Sequence, residues 1–344
     1  MFGQADKALP ADATDTISCV RWSPVGQHLA AGSWDGKVRI YDVKADGSAR
    51  GVAMLSSNAP VFSCDWSKDG SIIAGAGADK SLHLLDAASG ATTTIASAHD
   101  APVHSVRFVS IPSSPGSPIL ATGSWDRTVR YWDLRAGGGT PVATLRCAER
   151  VYSMDSAADL LVVATAGRVI HLVNLASPGA FASTRQSPLK FQTTCVATFP
   201  DGKGWATGSI EGRCGITSVA EDTSSIAKEV NFTFRCHRDT PDARKVVKVW
   251  AVNAVSWHPG HATTFSTGGA DGTFHFWDRV AHQRLRAFPS AGGAVTATDF
   301  SRDGRLFAYA VGYDWSMGCA GNRVDYPTKL MLHPVADEEV KPRK

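Results

Sequence analysis

Short runs of alternating apolar and polar residues recur along the chain, each bounded by Gly, Pro, Asp or Ser. A period of two is the mark of a strand lying half-buried in a sheet. In SCVRWSPVGQHLAAGSWDGKVRIYDV the pattern predicts strands from Cys19 to Trp22, His28 to Ala31 and Lys37 to Val43, joined by a Ser-Pro-x-Gly turn and then an Asp-Gly turn. The unit returns as FSCDWSKDGSIIAGAGADKSLHLLDA and again as HDAPVHSVRFVSIPSSPGSPILATGSWDRTVRYWDL. Dipeptides close the successive units at Tyr41-Asp42, Leu85-Asp86, Trp132-Asp133, Val173-Asn174, Thr217-Ser218, Trp277-Asp278 and Leu332-His333. A period of roughly 40 to 45 residues, lengthened before the sixth and seventh dipeptides, counts out seven units.

A unit of this size cannot bury both faces of its own small sheet, so neighbours must stack into a ring that closes. The period and the closing dipeptides predict an all-β chain, a seven-bladed WD-repeat β-propeller over residues 15–335, with an N-terminal arm at 1–14 and a charged tail at 336–344. Ring closure requires a strand from one terminus, and the segment before Asp15 is the candidate. The tail, ADEEVKPRK, is expected to be mobile. Three stretches depart from the repeat: the SIPSSPGSP insertion of blade three, DTPDARKVVK before blade six, and GYDWSMGCAGNRVDYPTK in blade seven.

Composition changes this picture little. The 344 residues are 43% hydrophobic and 19% charged, ordinary for a globular protein, and 10 Trp with 32 Gly fit a bladed β-fold. A formal net charge of +3 is too small to draw the whole molecule to nucleic acid or membrane, so any affinity for polyanions must come from local clustering. The seven cysteines are scattered and never two or four apart, which argues against a disulfide framework or a zinc knuckle and for a reducing, intracellular setting. MFGQADKALPADATD has no apolar signal core, and no run of about eighteen apolar residues occurs, so membrane insertion is not expected.

The candidates for chemistry are few. His99, Ser124, Asp126 and Trp132 of blade three could suggest a triad, but a buried hydrogen-bond network locking strands accounts for them better. GSWDGK and GAGADKS are turns without phosphate-loop spacing, and His258 and His261 lack Cys or carboxylate partners, so neither a cofactor nor a metal site is expected. What remains is surface recognition. Arg213, Arg235, His237, Arg238, Arg244, Lys245 and Lys248 crowd blade five and its exit, and Arg279, His282, Arg284 and Arg286 follow blade six. Interleaved with Phe232, Phe234, Trp250 and Trp277, they describe a groove that pairs acidic groups or phosphates while stacking apolar ones.

SIEGR (209–213), NFTFRCHR (231–238), AVNAVSWHP (251–259), FAYAVGYDWSMG (307–318), SPLKFQTTC (187–195) and AHDAPV (98–103) are similar to the messenger-RNA export factors called Rae-one in animals and Gle-two in yeasts. The similarity covers essentially the whole chain. The spindle-checkpoint proteins of the Bub-three type share SIEGR and the CHR strand. The NFTF start, SPLK, the CDWSKDG turn, the blade-three insertion and YDWS resemble the export factors instead. Gly312 and the short arm depart from that family.

The resemblance implies a non-enzymatic adaptor in mRNA export at the nuclear pore, found in the nucleus, at the nuclear envelope and in the cytoplasm. It would bind the GLEBS segment, a short acidic hairpin, of an FG-repeat nucleoporin. Carried over by position, Arg213, Arg235, His237 and Arg238 would take that peptide. Phe234, Trp277, Asp278, Arg279, His282 and Arg284 would form a groove for single-stranded RNA or for viral proteins that block export. His282 stands where the family tends to have an arginine, and an imidazole is a weaker cation at neutral pH. The alternative is a checkpoint scaffold that binds GLEBS segments of mitotic kinases, with mitotic checkpoint or spindle proteins as partners.

Overall fold

Each stretch of alternating residues becomes one sheet of four antiparallel strands. Seven such sheets make up the computed structural model, which describes residues 5–10, 12–136, 139–220, 230–323 and 325–342. Blade one runs Ile17–Trp22, His28–Ser33, Lys37–Val43, Ala49–Ser56 from the centre outward. First-strand residues of every blade, from Ser18 to Thr296, line one central cavity. The up-and-down order puts the start of each inner strand and each second-to-third-strand turn on one face of the ring. The closing dipeptides lie towards the other.

The core sits between blades rather than within them. Val38, Ile40 and Leu55 of blade one close against Val61, Cys64, Trp66 and Ile73 of blade two, all under 5% exposed. Fully burying one such side chain contributes about 1.5–3 kcal/mol, so an isolated blade would forfeit most of its stability. Carboxylates on the channel wall tie neighbours together. Asp65 accepts from the Phe108 amide at 2.8 Å, Asp155 from Thr198 at 2.7 Å, and Asp299 from Trp22 at 2.8 Å, the last across the seam between blades seven and one. Arg21 lies 3.9 Å from both Asp155 and Asp299, and Arg107 is 3.0 Å from Asp155. Burial pushes the Asp299 carboxyl up to about 6 against the pull of Arg21.

The N-terminal arm supplies the missing fourth strand of blade seven: Lys7 pairs with Leu332 and Ala8 with Met331. The tail is not free, contrary to expectation. Its helical turn Asp337–Val340 docks with Val340 buried among Phe274, Phe276 and Phe307, and the Thr264 hydroxyl donates to the Val340 carbonyl at 2.7 Å. Both termini meet at His333, whose Nδ1 is 2.7 Å from Asp6 and whose Nε2 is 2.9 Å from Glu339. Register also moves the seventh closing dipeptide by one residue. Phe307 pairs with His333 as Phe265 pairs with Trp277, so the equivalent pair is His333-Pro334 rather than Leu332-His333.

The blade-three polar residues form a locking network, though Ser124 is not its hydroxyl. His99 joins Asp126 at 2.8 Å and Thr122 at 2.7 Å, and the Trp132 indole donates to Thr122 at 2.9 Å. Ser124 donates instead to the Ala101 and Pro102 carbonyls. His258 also has a structural role: its Nδ1 accepts from the Gly260 and His261 amides, and its Nε2 reaches the Gly304 carbonyl at 3.2 Å.

Candidate functional site

Every inner strand is bulged near its start, after the first residue in blades one to six and after the second in blade seven, at Ile17/Cys19, Val61/Ser63, Val103/Ser105, Val151/Ser153, Thr193/Cys195, Val252/Ala254 and Val295/Ala297. A bulge leaves one residue unpaired and re-aims its side chain. That residue is Ser18, Phe62, His104, Tyr152, Thr194, Asn253 and Thr296 in blades one to seven. The small polar members tie their blade to the next: Ser18 donates to the Val61 carbonyl, Thr194 to Val252, Asn253 to Val295 and Thr296 to Ile17. Blades two, three and four place rings at the channel mouth instead.

Those rings join others from the turns of the same face. Trp315 stacks on Trp34 at 3.9 Å and 13°. Trp34 meets Phe62 at 5.3 Å, Phe62 meets His104 at 5.6 Å and Trp125 at 5.9 Å, and His104 lies 6.3 Å from Tyr152, over which Arg150 sits at 5.6 Å. The half-buried arc thus runs from blade seven to blade four. Burial pushes the His104 imidazole down to about 4, so it is a neutral ring at neutral pH. Trp315 takes a left-handed φ of 58°, a costly conformation for a bulky residue, held by Asp314, which accepts from the Ser316 amide at 3.1 Å and its hydroxyl at 2.7 Å. The Trp125 and Trp315 indole N–H groups are buried without an acceptor among the described residues.

The arginines of blade five stand on the same face. Arg213 and Arg235 are cross-strand partners at the turn that carries Glu211. Glu211 lies 3.6 Å from Arg213, and its carbonyl accepts from Arg238 Nε at 3.0 Å, which holds both guanidinium groups at the rim. His237 does not belong with them. It is fully buried, bonded at 3.0 Å to Asp271 and at 3.0 Å to Thr267, which also accepts from the Trp277 indole. It is blade six's counterpart of His99, and its ring cannot reach a ligand.

The second candidate lies on the flank. Phe232 and Phe234 alternate on the outermost strand of blade five, Phe232–Arg235, and lean toward blade six. Phe234 packs 4.6 Å from Trp277, Phe232 meets His282 at 3.9 Å with the rings tilted by 31°, and the Arg284 guanidinium covers Trp277 at 5.9 Å. His282 and Arg284 are exposed, and His282 sits at a turn with φ of 53°. Two predicted members fall outside this strip. Asp278 is 3% exposed and accepts from the Val280 amide at 3.0 Å, holding the turn rather than facing outward. Arg279 covers Phe199 at 4.5 Å and lies 3.9 Å from Asp201, so its charge is committed within the protein.

Sequence reasoning missed the aromatic arc. Its signal lies at repeat-equivalent positions: the second residue of the inner strands of blades two, three and four (Phe62, His104, Tyr152), and the Trp of GSWDGK, GSWDRT and YDWSMG. No group of His, Cys, Asp or Glu able to hold a metal ion occurs among the described residues.

The WD domain, G-beta repeat model matches residues 6–42, 52–86, 91–133 and 244–278, leaving blades four, five and most of seven as divergent copies. The chain is 48% identical over 342 residues to the mRNA export factor GLE2 of Chaetomium thermophilum, covering 98% of this chain and 92% of that one. It is 46% identical over 357 residues to the Poly(A)+ RNA export protein of Schizosaccharomyces pombe, covering 100% of this chain and 98% of that one. It is also 35% identical over 342 residues to the mitotic checkpoint protein BUB3.1 of Arabidopsis thaliana, covering 98% and 95%.

Proposed function

The chain belongs to the WD-repeat family of mRNA export factors, and from that premise we propose that it acts in mRNA export as a non-enzymatic adaptor. Its channel-mouth face takes the acidic GLEBS segment of an FG-repeat nucleoporin, which places it at the nuclear pore and lets it pass between nucleus and cytoplasm. Its flank meets single-stranded RNA of the exported particle.

The carrying observation is the joint placement, on one face, of the aromatic arc and the Arg213–Arg235–Arg238 rim. A hairpin peptide laid across the mouth would rest apolar side chains on Trp34, Phe62, Trp125 and Trp315 and bring its carboxylates to the arginines. Arg213 is pre-positioned by Glu211, so little side-chain entropy is lost when a carboxylate pairs with it.

Titration calorimetry with a GLEBS peptide tests this. Arg213→Glu is expected to weaken binding by about 2–5 kcal/mol, and unchanged affinity would refute the assignment. A checkpoint scaffold is the second reading, favoured by the similarity to the Arabidopsis checkpoint protein. Affinity purification at native salt separates the two: FG-repeat nucleoporins support export, mitotic kinases the checkpoint.

A further inference from the structure

Third and fourth positions of the inner strands repeat around the ring, and their chemistry exposes one exception. In blades two, three and four the third residue is a serine whose hydroxyl accepts the amide of the fourth residue of the next blade: Ser63 from Val106 at 3.2 Å, Ser105 from Met154 at 3.2 Å, Ser153 from Val196 at 3.1 Å. In blade one the third residue is Cys19, and the fourth residue of blade two is Cys64. Their sulfurs are 3.4 Å apart. Cys195 stands at the same third position in blade five and, like Cys19, lines the central cavity. The blade after it presents Val255 at the fourth position, so Cys195 is a built-in control.

We propose that Cys19 and Cys64 form a reversible redox site, a dithiol that closes to an inter-blade disulfide when a peroxide or a low-molecular-weight disulfide reaches Cys19 through the channel. Cys19 is partly exposed to that channel, while Cys64 is fully buried behind it. A disulfide needs its sulfurs at about 2.05 Å, so closure asks only a little over an ångström of the side chains. Contact with the Cys64 thiol, helped by the nearby Arg21 cation, holds the Cys19 thiol below its usual range, while Cys64 is pushed up. The division of labour follows: Cys19 attacks and Cys64 resolves.

With a peroxide, the Cys19 thiolate attacks one oxygen, the O–O bond breaks, and the departing hydroxide takes the thiol's proton and leaves as water. Cys19 is then a sulfenic acid. The Cys64 sulfur displaces that oxygen, which leaves as a second water with the Cys64 proton, and the S–S bond forms. Two thiols are oxidised and one peroxide is reduced. Because the contact joins the inner strands of blades one and two, the bond staples the ring beside Phe62, two residues from Cys64 and part of the aromatic arc.

The test uses the full chain, reduced and then treated with limiting hydrogen peroxide or with oxidised glutathione, alkylated under denaturing conditions and mapped by mass spectrometry. A Cys19–Cys64 linked peptide that dithiothreitol reverses is expected, with Cys195 still alkylated at the same dose. Cys64→Val, which copies Val20, Val106 and Val255, should lose the link and leave Cys19 as a glutathione adduct or sulfinic acid. Cys19→Ser, which copies Ser63 and Ser105, should leave Cys64 reduced, and it serves if the valine variant does not fold. Cys19 and Cys64 both alkylated while Cys195 or the exposed Cys319 oxidises would overturn the proposal. So would a Cys19 adduct that accumulates equally in wild type and Cys64→Val.

Discussion

At the channel mouth the rings stand on bulged inner strands and on turns between fixed strands, each touching the next from Trp315 to Tyr152. On the flank, Phe232 and Phe234 stand on the last strand of a blade, with His282 and Arg284 exposed beside them. The mouth is preorganised, with strain at Trp315 already met by the surrounding contacts, so it suits one peptide conformation. The flank offers half-buried rings with the exposed Arg284 guanidinium lying over one of them, an arrangement that suits a flexible polyanion with little sequence readout. On the proposed reading, the same chemistry, aromatic plus cation, would serve shape selection on rigid inner strands and tolerant stacking on outer ones.

Independence of the two regions is the claim to break. Trp34→Ala removes the ring that joins Trp315 to Phe62 and is expected to cost about 2–4 kcal/mol in GLEBS-peptide affinity, read by calorimetry, with RNA binding unchanged. A parallel loss of RNA binding would show that the mouth and the flank act as one.

The next effect is on stability. Burial alone would lower the His333 pKa, but its bonds to Asp6 and Glu339 outweigh burial and push it up to about 9. A folded value above the ordinary one near 6.5 means the stabilisation is complete below about pH 6.5 and lost as pH rises through 9, on the order of 2–3 kcal/mol. At the acid end, His333 holds Asp6 and Glu339 below the usual carboxylate range despite burial, so their contribution fades as pH falls. Thermal melts of wild type should decline from neutrality to pH 9, and His333→Ala should be less stable and flat over that range. Glu339 also lies 3.9 Å from Arg286 on the outer strand of blade six, so the decline should loosen the flank before the mouth.

The smallest effect sharpens the flank itself. Arg284→Glu is expected to weaken single-stranded RNA binding by about 1–2 kcal/mol at low salt and to flatten its salt dependence, measured by fluorescence anisotropy. Arg279→Glu should do much less, since that guanidinium already serves Phe199 and Asp201. Equal losses from both would return Arg279 to the RNA surface.

Period and turn chemistry carried most of the fold in the sequence, because strand alternation and Asp-Gly turns are local. The shift at His333-Pro334 was not legible, since a divergent strand shows its register only when paired with Phe307. The docked tail was hidden for a similar reason: DEEV reads as solvent-loving until Val340 finds a phenylalanine cluster far away in sequence. Within the sites, residue type pointed to the right region but not to orientation. His237 and Asp278 carry the chemistry of recognition, yet the repeat turns both inward, and the same repeat aims Phe62, His104 and Tyr152 outward by a bulge that periodicity conceals.

The bracket at His333 also sets a timetable. Asp6 and His333 are 327 residues apart, and at roughly 5–20 residues per second a ribosome needs about 15–65 s to make that stretch. During that interval the arm has no strand to pair with, and the Trp22 amide waits for Asp299. Until blade seven is made, the apolar face of blade one around Leu29 and Tyr41 lacks the Leu306 and Leu332 side that buries it in the closed ring. Any helper that shields that face would act in that interval, and its task ends when blade seven arrives.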